Sequence, residues 1–314
     1  MNITILGCGV YGVALANSFL ANSNNRVTMW SRFQKEVDHL SIDYPEIYFD
    51  TNLEKVTVNT DLMVIAIPLA FLESVIDDLA PVYQGQDILI ASKGIDTVSY
   101  SFAHEMISAQ LKDAPIGVIS GGTFAVDMMQ KKVMGLTLAS KEQRIIEKVK
   151  KSLESKFLKI QVTDDVVGVS VCGAIKNVMA IGFGILDGAN YPESSRFLFL
   201  TEAIYEIQYL IQELGGNKGT IMSYAGIDDI SMTCTSSKSR NYTLGSMLGR
   251  GCSDEEILDY KEKTTIEGLG SCEAIYHLTK EKRISMPIVS IIYEILYKNK
   301  NYMELLNYLE EKES

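Results

Sequence analysis

The sequence predicts an α/β protein in which a parallel β-sheet covered by helices fills the first half and an all-helical domain fills the second. Up to residue 162, short apolar runs of strand length alternate with amphipathic segments. Apolar strands that alternate with helices are typical of parallel sheets buried on both faces. Beyond Thr163 the strand-like runs almost disappear, and apolar residues recur at helical spacing.

The individual elements follow one another in a regular order. A helix over Val13–Leu20 follows the first strand. The segments predicted to form strands are Ile3–Leu6, Arg26–Trp30, Met63–Ile67, Ile88–Ala91, Ile116–Ile119, Met134–Leu138 and Leu158–Val162. The segments with helical spacing in the second half are Val166–Leu186, Phe197–Leu214, Ser253–Lys263, Ser271–Glu281 and Ile288–Tyr297.

The change of pattern predicts a sheet domain over residues 1–164 and a helical domain over residues 165–314. A chain of 314 residues has the length of two domains, at roughly 100–200 residues each. Asp164 and Asp165 are typical of the start of a long helix. The charged residues 310–314 are expected to fray.

Composition limits the partners and the compartment. The net charge of −11 argues against nucleic acid and anionic membranes as general partners, because no basic surplus is present to neutralise phosphates. A small phosphorylated molecule stays compatible, since a few cations in a cleft can bind one phosphate. The cysteines form no CxxC pair and the histidines lack metal-ligand spacing, so neither a disulfide framework nor a metal site is expected.

The N-terminus and the lengths of the apolar runs indicate where the protein is expected to be located. The N-terminus lacks the basic segment and the cleavage site of a signal peptide. The longest apolar runs, around Leu62–Leu72 and Val178–Leu186, are shorter than the ~20 residues that span a bilayer. We therefore expect a cytoplasmic protein without an integral membrane segment.

A glycine-rich turn, Gly7–Gly12, has the pattern G-x-G-x-x-G directly between the first strand and the first helix. In a Rossmann-type domain Gly7 would permit the tight turn, Gly9 would let backbone N–H groups approach a pyrophosphate, and Gly12 would let the helix pack closely on the strand. The helix N-terminus would then face the anion with its partial positive charge. The alternative is a glycine-rich turn that binds no nucleotide.

The end of the second strand bears on the choice of cofactor. An acidic residue there would indicate NAD, because it binds the ribose 2′-hydroxyl. The residues at this point are Trp30, Ser31 and Arg32, without Asp or Glu. Arg32 with Ser31 could hold a 2′-phosphate, which favours NADP or a site that accepts both NAD and NADP. Arg32 could also be an ordinary surface cation.

Three cations lie in settings that are unusual for surface charge. Lys93 follows a strand, at the edge where open α/β sheets bind ligands. Lys176 lies in an apolar helical segment beside the small residues Gly173 and Ala174, and Arg240 follows a polar stretch rich in hydrogen-bond donors. Each could also be a solvated cation, and Lys176 could extend to the surface from an apolar helix.

Ketone reduction by hydride transfer explains why such cations would be needed. Negative charge develops on the carbonyl oxygen, and a nearby ammonium can stabilise it and supply the proton. Burial or neighbouring cations lower the pKa of a lysine toward the working pH. Lys176 suits this role, with Lys93 and Arg240 as possible neighbours. The planar guanidinium of Arg240 suits a phosphate.

Taken together, these motifs resemble the NAD(P)-dependent glycerol-3-phosphate dehydrogenase family over nearly the whole chain. They occur in the order of the family. Besides the glycine-rich turn they are Ser92–Ile95, Ile119–Ala125, Gly173–Val178, Asp187–Gly188, Thr233–Thr235, Ser239–Asn241, Glu267–Gly268 and Met286–Ile288.

The resemblance implies roles for individual residues. Lys176 resembles the general acid/base of the family, and Lys93 would touch both substrate and cofactor. The other positions that match substrate contacts are Gly121, Thr123, Asn177, Asp229, Ser239, Arg240 and Asn241. The positions that match cofactor contacts are Gly7, Gly9, Val10, Tyr11, Gly12, Arg32, Lys93, Ala125, Arg240, Thr265 and Glu267.

The resemblance also implies a reaction and an assembly. The family interconverts dihydroxyacetone phosphate and sn-glycerol 3-phosphate with NAD or NADP, and supplies glycerol 3-phosphate for phospholipid synthesis. A homodimer is expected, with the active site between a Rossmann domain and a helical domain. This sequence departs from the family at Gly122, Asp228, Ser194, Glu202 and Val10, where the family usually has other residues.

Two other functions are compatible with the same residues. One is a related dehydrogenase acting on another small hydroxy acid or hydroxy phosphate. The other is a nucleotide-binding sensor that has lost catalysis. The presence of Lys176 together with Lys93 argues against the sensor, since cofactor binding alone does not need both.

Overall fold

The computed structural model describes residues 1–311 and forms two compact units. Unit 1 comprises Met1–Lys93 and Phe102–Val169, and unit 2 comprises Gly94–Ser101 and the chain from Ser170 onward. The predicted domain boundary after residue 164 stays a prediction. Glu310 and Glu311 belong to the last helix, whereas residues 312–314, which were expected to fray with them, lie outside the described residues.

Unit 1 is built on one eight-stranded sheet with the strand order β3-β2-β1-β4-β5-β6-β7-β8. The strands are β1 Asn2–Leu6, β2 Arg26–Trp30, β3 Tyr48–Asp50, β4 Leu62–Ile65, β5 Asp87–Ile90, β6 Ile116–Ser120, β7 Met134–Ser140 and β8 Leu158–Thr163. Neighbouring strands are parallel except for the pair β6 and β7. The predicted Rossmann-type sheet is confirmed.

Helices cover this sheet because its central strands are apolar on both faces. Every residue of β4 is buried, as is every residue of β5. Leu15 and Phe19 of the first helix are fully buried in the same core as Ile3 of β1. The helices of unit 1 are α1 Val10–Leu20, α2 Gln34–Asp43, α3 Leu53–Thr57, α4 Leu72–Leu79, α5 Ala103–Gln110, α6 Ala125–Met129 and α7 Gln143–Leu153.

The sheet differs from the sequence prediction in two places. The strand β3 was not predicted, because it has three residues and only Phe49 among them is buried. The strand β7 runs antiparallel to β6, with Ser120 opposite Thr137. The connection between them contains only α6, whose five residues are too few to carry the chain back along the sheet for a parallel crossover.

Within its described residues, unit 2 contains helices and no strand. They are α8 Val166–Gly188, which begins in unit 1, then α9 Glu193–Glu213, α10 Asp229–Thr235, α11 Arg240–Gly249, α12 Asp254–Lys263, α13 Glu267–Lys282, α14 Pro287–Lys298 and α15 Glu304–Glu311. Shorter helical turns at Lys218–Met222 and Tyr224–Asp228 precede α10. The helical second half is therefore confirmed.

The helix α8 is the central element of unit 2. Its 23 residues are long and apolar enough to cross a membrane, but 83% of the apolar window is buried inside the protein, as in the core helix of a soluble protein. The helix α11 packs on it at backbone distance: a Cβ added to Gly245 would lie 2.1 Å from the Ile181 carbonyl oxygen. A Cβ added to Gly184 would lie 2.2 Å from the Tyr242 carbonyl oxygen.

Close backbone packing also occurs at the glycine-rich turn, where its contribution to stability can be tested. A Cβ at Gly12 would lie 2.2 Å from the Gly7 carbonyl oxygen, whereas a Cβ at Gly9 would meet no atom within 4 Å. We expect Gly12→Ala to lower the free energy of unfolding by about 2 kcal/mol, because overpacking forces the backbone to move. Gly9→Ala is the matched control and should leave it nearly unchanged. Urea unfolding of both variants checks this, and equal losses would contradict it.

Candidate active site

The glycine-rich turn lies at the carboxyl end of β1 and leads directly into α1. Gly7 adopts φ of +113°, and its N–H donates a hydrogen bond to the Trp30 carbonyl oxygen at 3.0 Å. Gly9 precedes the first turn of α1, which contains no acidic residue. The space beside Gly9 is open. A pyrophosphate could therefore approach the helix N-terminus closely, so these residues fit a dinucleotide.

Four of the predicted residues come together beside this turn. Lys93 Nζ donates a hydrogen bond to the Gly121 carbonyl oxygen at 3.3 Å and lies 5.8 Å from the centroid of the Tyr11 ring. The Tyr11 hydroxyl lies 3.4 Å from Thr123 Oγ1. The turn after β5 and the turn after β6 thus bring an ammonium, two polar groups and the glycine-rich turn to one edge of the sheet.

The remaining predicted residues of unit 1 lie around the same edge. Val10 is the exposed first residue of α1, and Ala125 is the first residue of α6, which packs against α1. Arg32 follows β2, and its guanidinium is already engaged: it contacts Asp78 Oδ2 at 2.7 Å and Ser74 Oγ at 3.1 Å on α4.

In unit 2, Lys176 forms a buried ion pair. Its Nζ donates hydrogen bonds to Asp229 Oδ1 at 2.6 Å and to Thr233 Oγ1 at 3.2 Å. Thr233 in turn donates to the Asp229 carbonyl oxygen at 2.6 Å. Asp229 is fully buried at the start of α10, whereas Asp228 is exposed. The structure therefore distinguishes the two adjacent acids, which share one motif in the sequence.

The thiol of Cys234 lies next to this pair. Burial raises the pKa of Cys234 well above its usual range; the Asp229 carboxylate raises it further, and Lys176 acts in the opposite direction. The thiol is consequently protonated at neutral pH and is not an activated nucleophile. Besides this thiol, the cluster contains the Lys176 ammonium and its hydrogen-bond partners Asp229 and Thr233.

A chain of amide hydrogen bonds holds the neighbouring residues. Asn177 Nδ2 donates to Glu267 Oε2 at 3.1 Å, and Asn241 Nδ2 donates to Asn177 Oδ1 at 3.0 Å. The Gly268 N–H donates to Asn241 Oδ1 at 2.9 Å. This network joins α8, α11 and the start of α13, so it fixes the position of Asn177, directly after Lys176.

The other predicted residues of unit 2 lie at the ends of helices. Ser239 caps α11, since its Oγ accepts a hydrogen bond from the Tyr242 N–H at 3.2 Å. Arg240 is the exposed first residue of that helix. Thr265 lies exposed between α12 and α13.

The Asp187 carboxylate has no role predicted from the sequence, although Asp187 belongs to the motif Asp187–Gly188. The Tyr242 hydroxyl and the Arg196 guanidinium both donate hydrogen bonds to it. Burial and the Asp187 carboxylate raise the pKa of Tyr242 to about 12. Asp187 thereby anchors the first turn of α11, which contains Arg240, to the end of α8.

Comparisons with known proteins identify the family of this chain. The N-terminal and C-terminal models of NAD-dependent glycerol-3-phosphate dehydrogenase match residues 2–146 and 165–307. The chain is 30% identical to a glycerol-3-phosphate dehydrogenase (NAD(P)+) of Staphylococcus aureus strain USA300, over 99% of this chain and 98% of that protein. The corresponding Staphylococcus epidermidis protein is 31% identical over 95% and 94%.

The chain belongs to the NAD-dependent glycerol-3-phosphate dehydrogenase family. The fold agrees: a crystal structure of glycerol-3-phosphate dehydrogenase from Coxiella burnetii superposes with a TM-score of 0.91 at 26% identity, covering 99% of both chains. The enzyme from the yeast Saccharomyces cerevisiae has the same fold, with a TM-score of 0.86 at 18% identity. The predicted family, fold class and NAD(P) dependence are confirmed, while the roles of individual residues stay predictions.

The buried pair of Lys176 and Asp229 provides a stability test. We expect Lys176→Met to lower the free energy of unfolding by about 3 kcal/mol, because the Asp229 carboxylate is left buried without its ammonium. Adding Asp229→Leu should recover much of the loss, since no unpaired charge then remains. Urea unfolding of the two single variants and the double variant measures the coupling. Strictly additive losses would contradict the importance of the pair.

Proposed function

We propose that this member of the glycerol-3-phosphate dehydrogenase family interconverts dihydroxyacetone phosphate and sn-glycerol 3-phosphate. The observation that carries the proposal is the Lys176 ammonium, which is nearly buried and oriented by Asp229 and Thr233. A surface cation would not need two buried hydrogen-bond partners. A group that exchanges a proton with a substrate oxygen does need a fixed position.

Lys176 is the proposed general acid/base. When bound, the nicotinamide of the cofactor would supply or accept the hydride at the central carbon of the substrate. In the reductive direction, Lys176 stabilises the negative charge that develops on the carbonyl oxygen and gives that oxygen a proton. In the oxidative direction, it takes the hydroxyl proton back. Asp229 and Thr233 hold the ammonium in place during both directions.

Lys93 is the proposed second cation. Its ammonium is positioned by the Gly121 carbonyl oxygen and the Tyr11 ring. In this proposal it contacts both the substrate and the cofactor, together with Gly121 and Thr123 on the substrate side. A second positive charge lowers the energy of the developing alkoxide.

Arg240 is the proposed phosphate ligand, supported by Ser239, Asn177 and Asn241. It is exposed at the N-terminus of α11, where backbone N–H groups also favour an anion. Its guanidinium can bind two phosphate oxygens at once. The Asp187 anchor on Tyr242 keeps this helix end in place.

The cofactor in this proposal is NAD or NADP. The turn with Gly7, Gly9 and Gly12 would hold the pyrophosphate, with contacts from Val10 and Tyr11. The other proposed cofactor contacts are Arg32, Lys93, Ala125, Arg240, Thr265 and Glu267. The open space at Gly9 supports the placement of the pyrophosphate.

We also propose a compartment, an oligomeric state and a metabolic role for the enzyme. We place it in the cytoplasm, which is supported by five cysteines that are all free thiols. We propose that it acts as a homodimer and supplies glycerol 3-phosphate for phospholipid or surface-polymer synthesis. The departures Gly122, Asp228, Ser194 and Glu202 leave Lys176, Lys93 and Arg240 in place.

Replacement of the proposed acid/base provides the main test of the reaction. We expect Lys176→Met to lower kcat/KM for dihydroxyacetone phosphate by about 10³-fold, because general acid catalysis contributes 10²–10⁴-fold. NADH binding should survive, since the lysine acts on the substrate. Absorbance of NADH at saturating cofactor measures the rate, and Lys282→Met, an exposed lysine on α13, is the control.

The result separates the competing functions. Activity of Lys176→Met within a few-fold of the unmodified enzyme would remove Lys176 from the mechanism. Cofactor binding by the unmodified protein without any turnover would favour the sensor. Faster turnover of an unphosphorylated hydroxy acid would favour the related dehydrogenase.

Replacement of the proposed phosphate ligand tests the substrate class. We expect Arg240→Ala to lower kcat/KM for dihydroxyacetone phosphate about 100-fold, since each hydrogen bond to a charged group contributes roughly 1.5–3 kcal/mol. Both substrates are compared at saturating NADH, so that the proposed Arg240 contact with the cofactor does not affect the comparison. Activity with unphosphorylated dihydroxyacetone should then change little. Arg250→Ala, at the other end of α11, is the matched control. An equal loss with both substrates would show that the phosphate binds elsewhere.

A further inference from the structure

A carboxylate lies at the end of β2, where the sequence showed none. The Ser31 hydroxyl donates a hydrogen bond to Glu36 Oε2, and it accepts one from the Phe33 N–H at 3.1 Å. Ser31 is buried and directly follows Trp30, the last residue of β2. Glu36 lies in the first turn of α2 and is exposed. Ser31 therefore ties an accessible carboxylate back to the end of the strand.

This carboxylate lies close to the glycine-rich turn. Trp30 pairs with Leu6 in the parallel register, and its carbonyl oxygen accepts the Gly7 N–H at 3.0 Å. Burial raises the pKa of Cys8, inside the turn, to about 12, and the Glu36 charge adds to that shift. The end of β2 and the turn therefore form one surface. In a Rossmann domain, the adenosine ribose lies beside this strand end when the pyrophosphate lies on the turn.

The guanidinium of Arg32, which follows β2, already binds groups on α4. Arg32 contacts Asp78 Oδ2 at 2.7 Å and donates to both the hydroxyl and the carbonyl oxygen of Ser74. To bind a 2′-phosphate, Arg32 would have to leave or share these partners. The phosphate would then also stand beside Glu36, and two negative groups at close range repel each other.

We propose that Glu36, held by Ser31, binds the adenosine ribose of the cofactor and makes this enzyme prefer NAD(H) to NADP(H). The inference rests on the proposed function for its cofactor chemistry. Glu36 accepts a hydrogen bond from the ribose 2′-hydroxyl of NAD(H). The same carboxylate repels the 2′-phosphate of NADP(H). Arg32, paired with Asp78, offsets only part of that repulsion.

Direct binding of the two reduced cofactors tests this without turnover. NADH and NADPH are titrated separately into the full-length protein in the absence of substrate, with nicotinamide fluorescence as the signal. We expect the unmodified protein to bind NADH at least tenfold more tightly. Glu36→Gln should weaken NADH binding about tenfold and strengthen NADPH binding, because a charge-assisted hydrogen bond is lost and the repulsion is removed.

Two further variants make the test independent of one substitution. Asp78→Asn should strengthen NADPH binding and leave NADH binding unchanged, because it releases Arg32. Glu142→Gln is the matched control: Glu142 is exposed and follows β7, which ends opposite the start of β6 and therefore at the other edge of the sheet. It should leave both dissociation constants unchanged.

The outcomes separate this inference from the proposed function. An unmodified protein that binds NADPH as tightly as NADH would overturn the role of Glu36, as would an unchanged NADH-to-NADPH ratio in Glu36→Gln. Neither result would affect turnover of dihydroxyacetone phosphate. Conversely, the expected ratios without any turnover would support Glu36 as the ribose ligand while removing the proposed reaction.

Discussion

The buried ion pair between Lys176 and Asp229 is the interaction on which the proposed reaction depends. Removing two charges from water costs several kcal/mol for each ion, and their attraction repays this only when the geometry is good. A pair of apolar side chains would fill the same space with no such cost. Thr233 satisfies part of the remaining hydrogen-bonding capacity, so the pair is tolerated. An ammonium so restrained can meet a substrate oxygen at a fixed point, which a mobile surface lysine cannot.

The surrounding helices keep that point fixed. The glycines Gly184 and Gly245 let α8 and α11 touch along their backbones, so side chains cannot act as a flexible layer between them. The amides of Asn177 and Asn241 and the carboxylate of Asp187 then cross-link the same helices. A substitution of any of these groups is therefore expected to move the backbone that carries Lys176 or Arg240. Residues without a direct chemical role therefore affect the reaction through position, and an error of about 1 Å can cost a hundredfold in rate.

Much of the fold could be predicted because it follows from local patterns. Buried strands such as Ile88–Ala91 are apolar on both faces, and the turn Gly7–Gly12 lies where a strand passes into a helix. The strand β3 and the direction of β7 could not be predicted, because neither is set by a local apolar pattern. The same limit applies to the site. Lys176 stands out among apolar residues, but its partner Asp229 is distant in sequence and adjacent to another acid.

The difference between net charge and local charge explains how an acidic protein can bind two anionic ligands. The net charge of −11 describes the field far from the surface, and salt screens that field within about 8 Å at physiological ionic strength. Within a site, the nearest charges and helix N-termini determine the energy. Lys93 beside the glycine-rich turn and Arg240 at the start of α11 provide positive charge locally, whereas Glu36 provides negative charge where a ribose hydroxyl is a better partner than a phosphate. In the proposed site, discrimination between two cofactors that differ by one phosphate therefore depends on one or two side chains. The amino-acid composition of the chain carries no information about this cofactor preference.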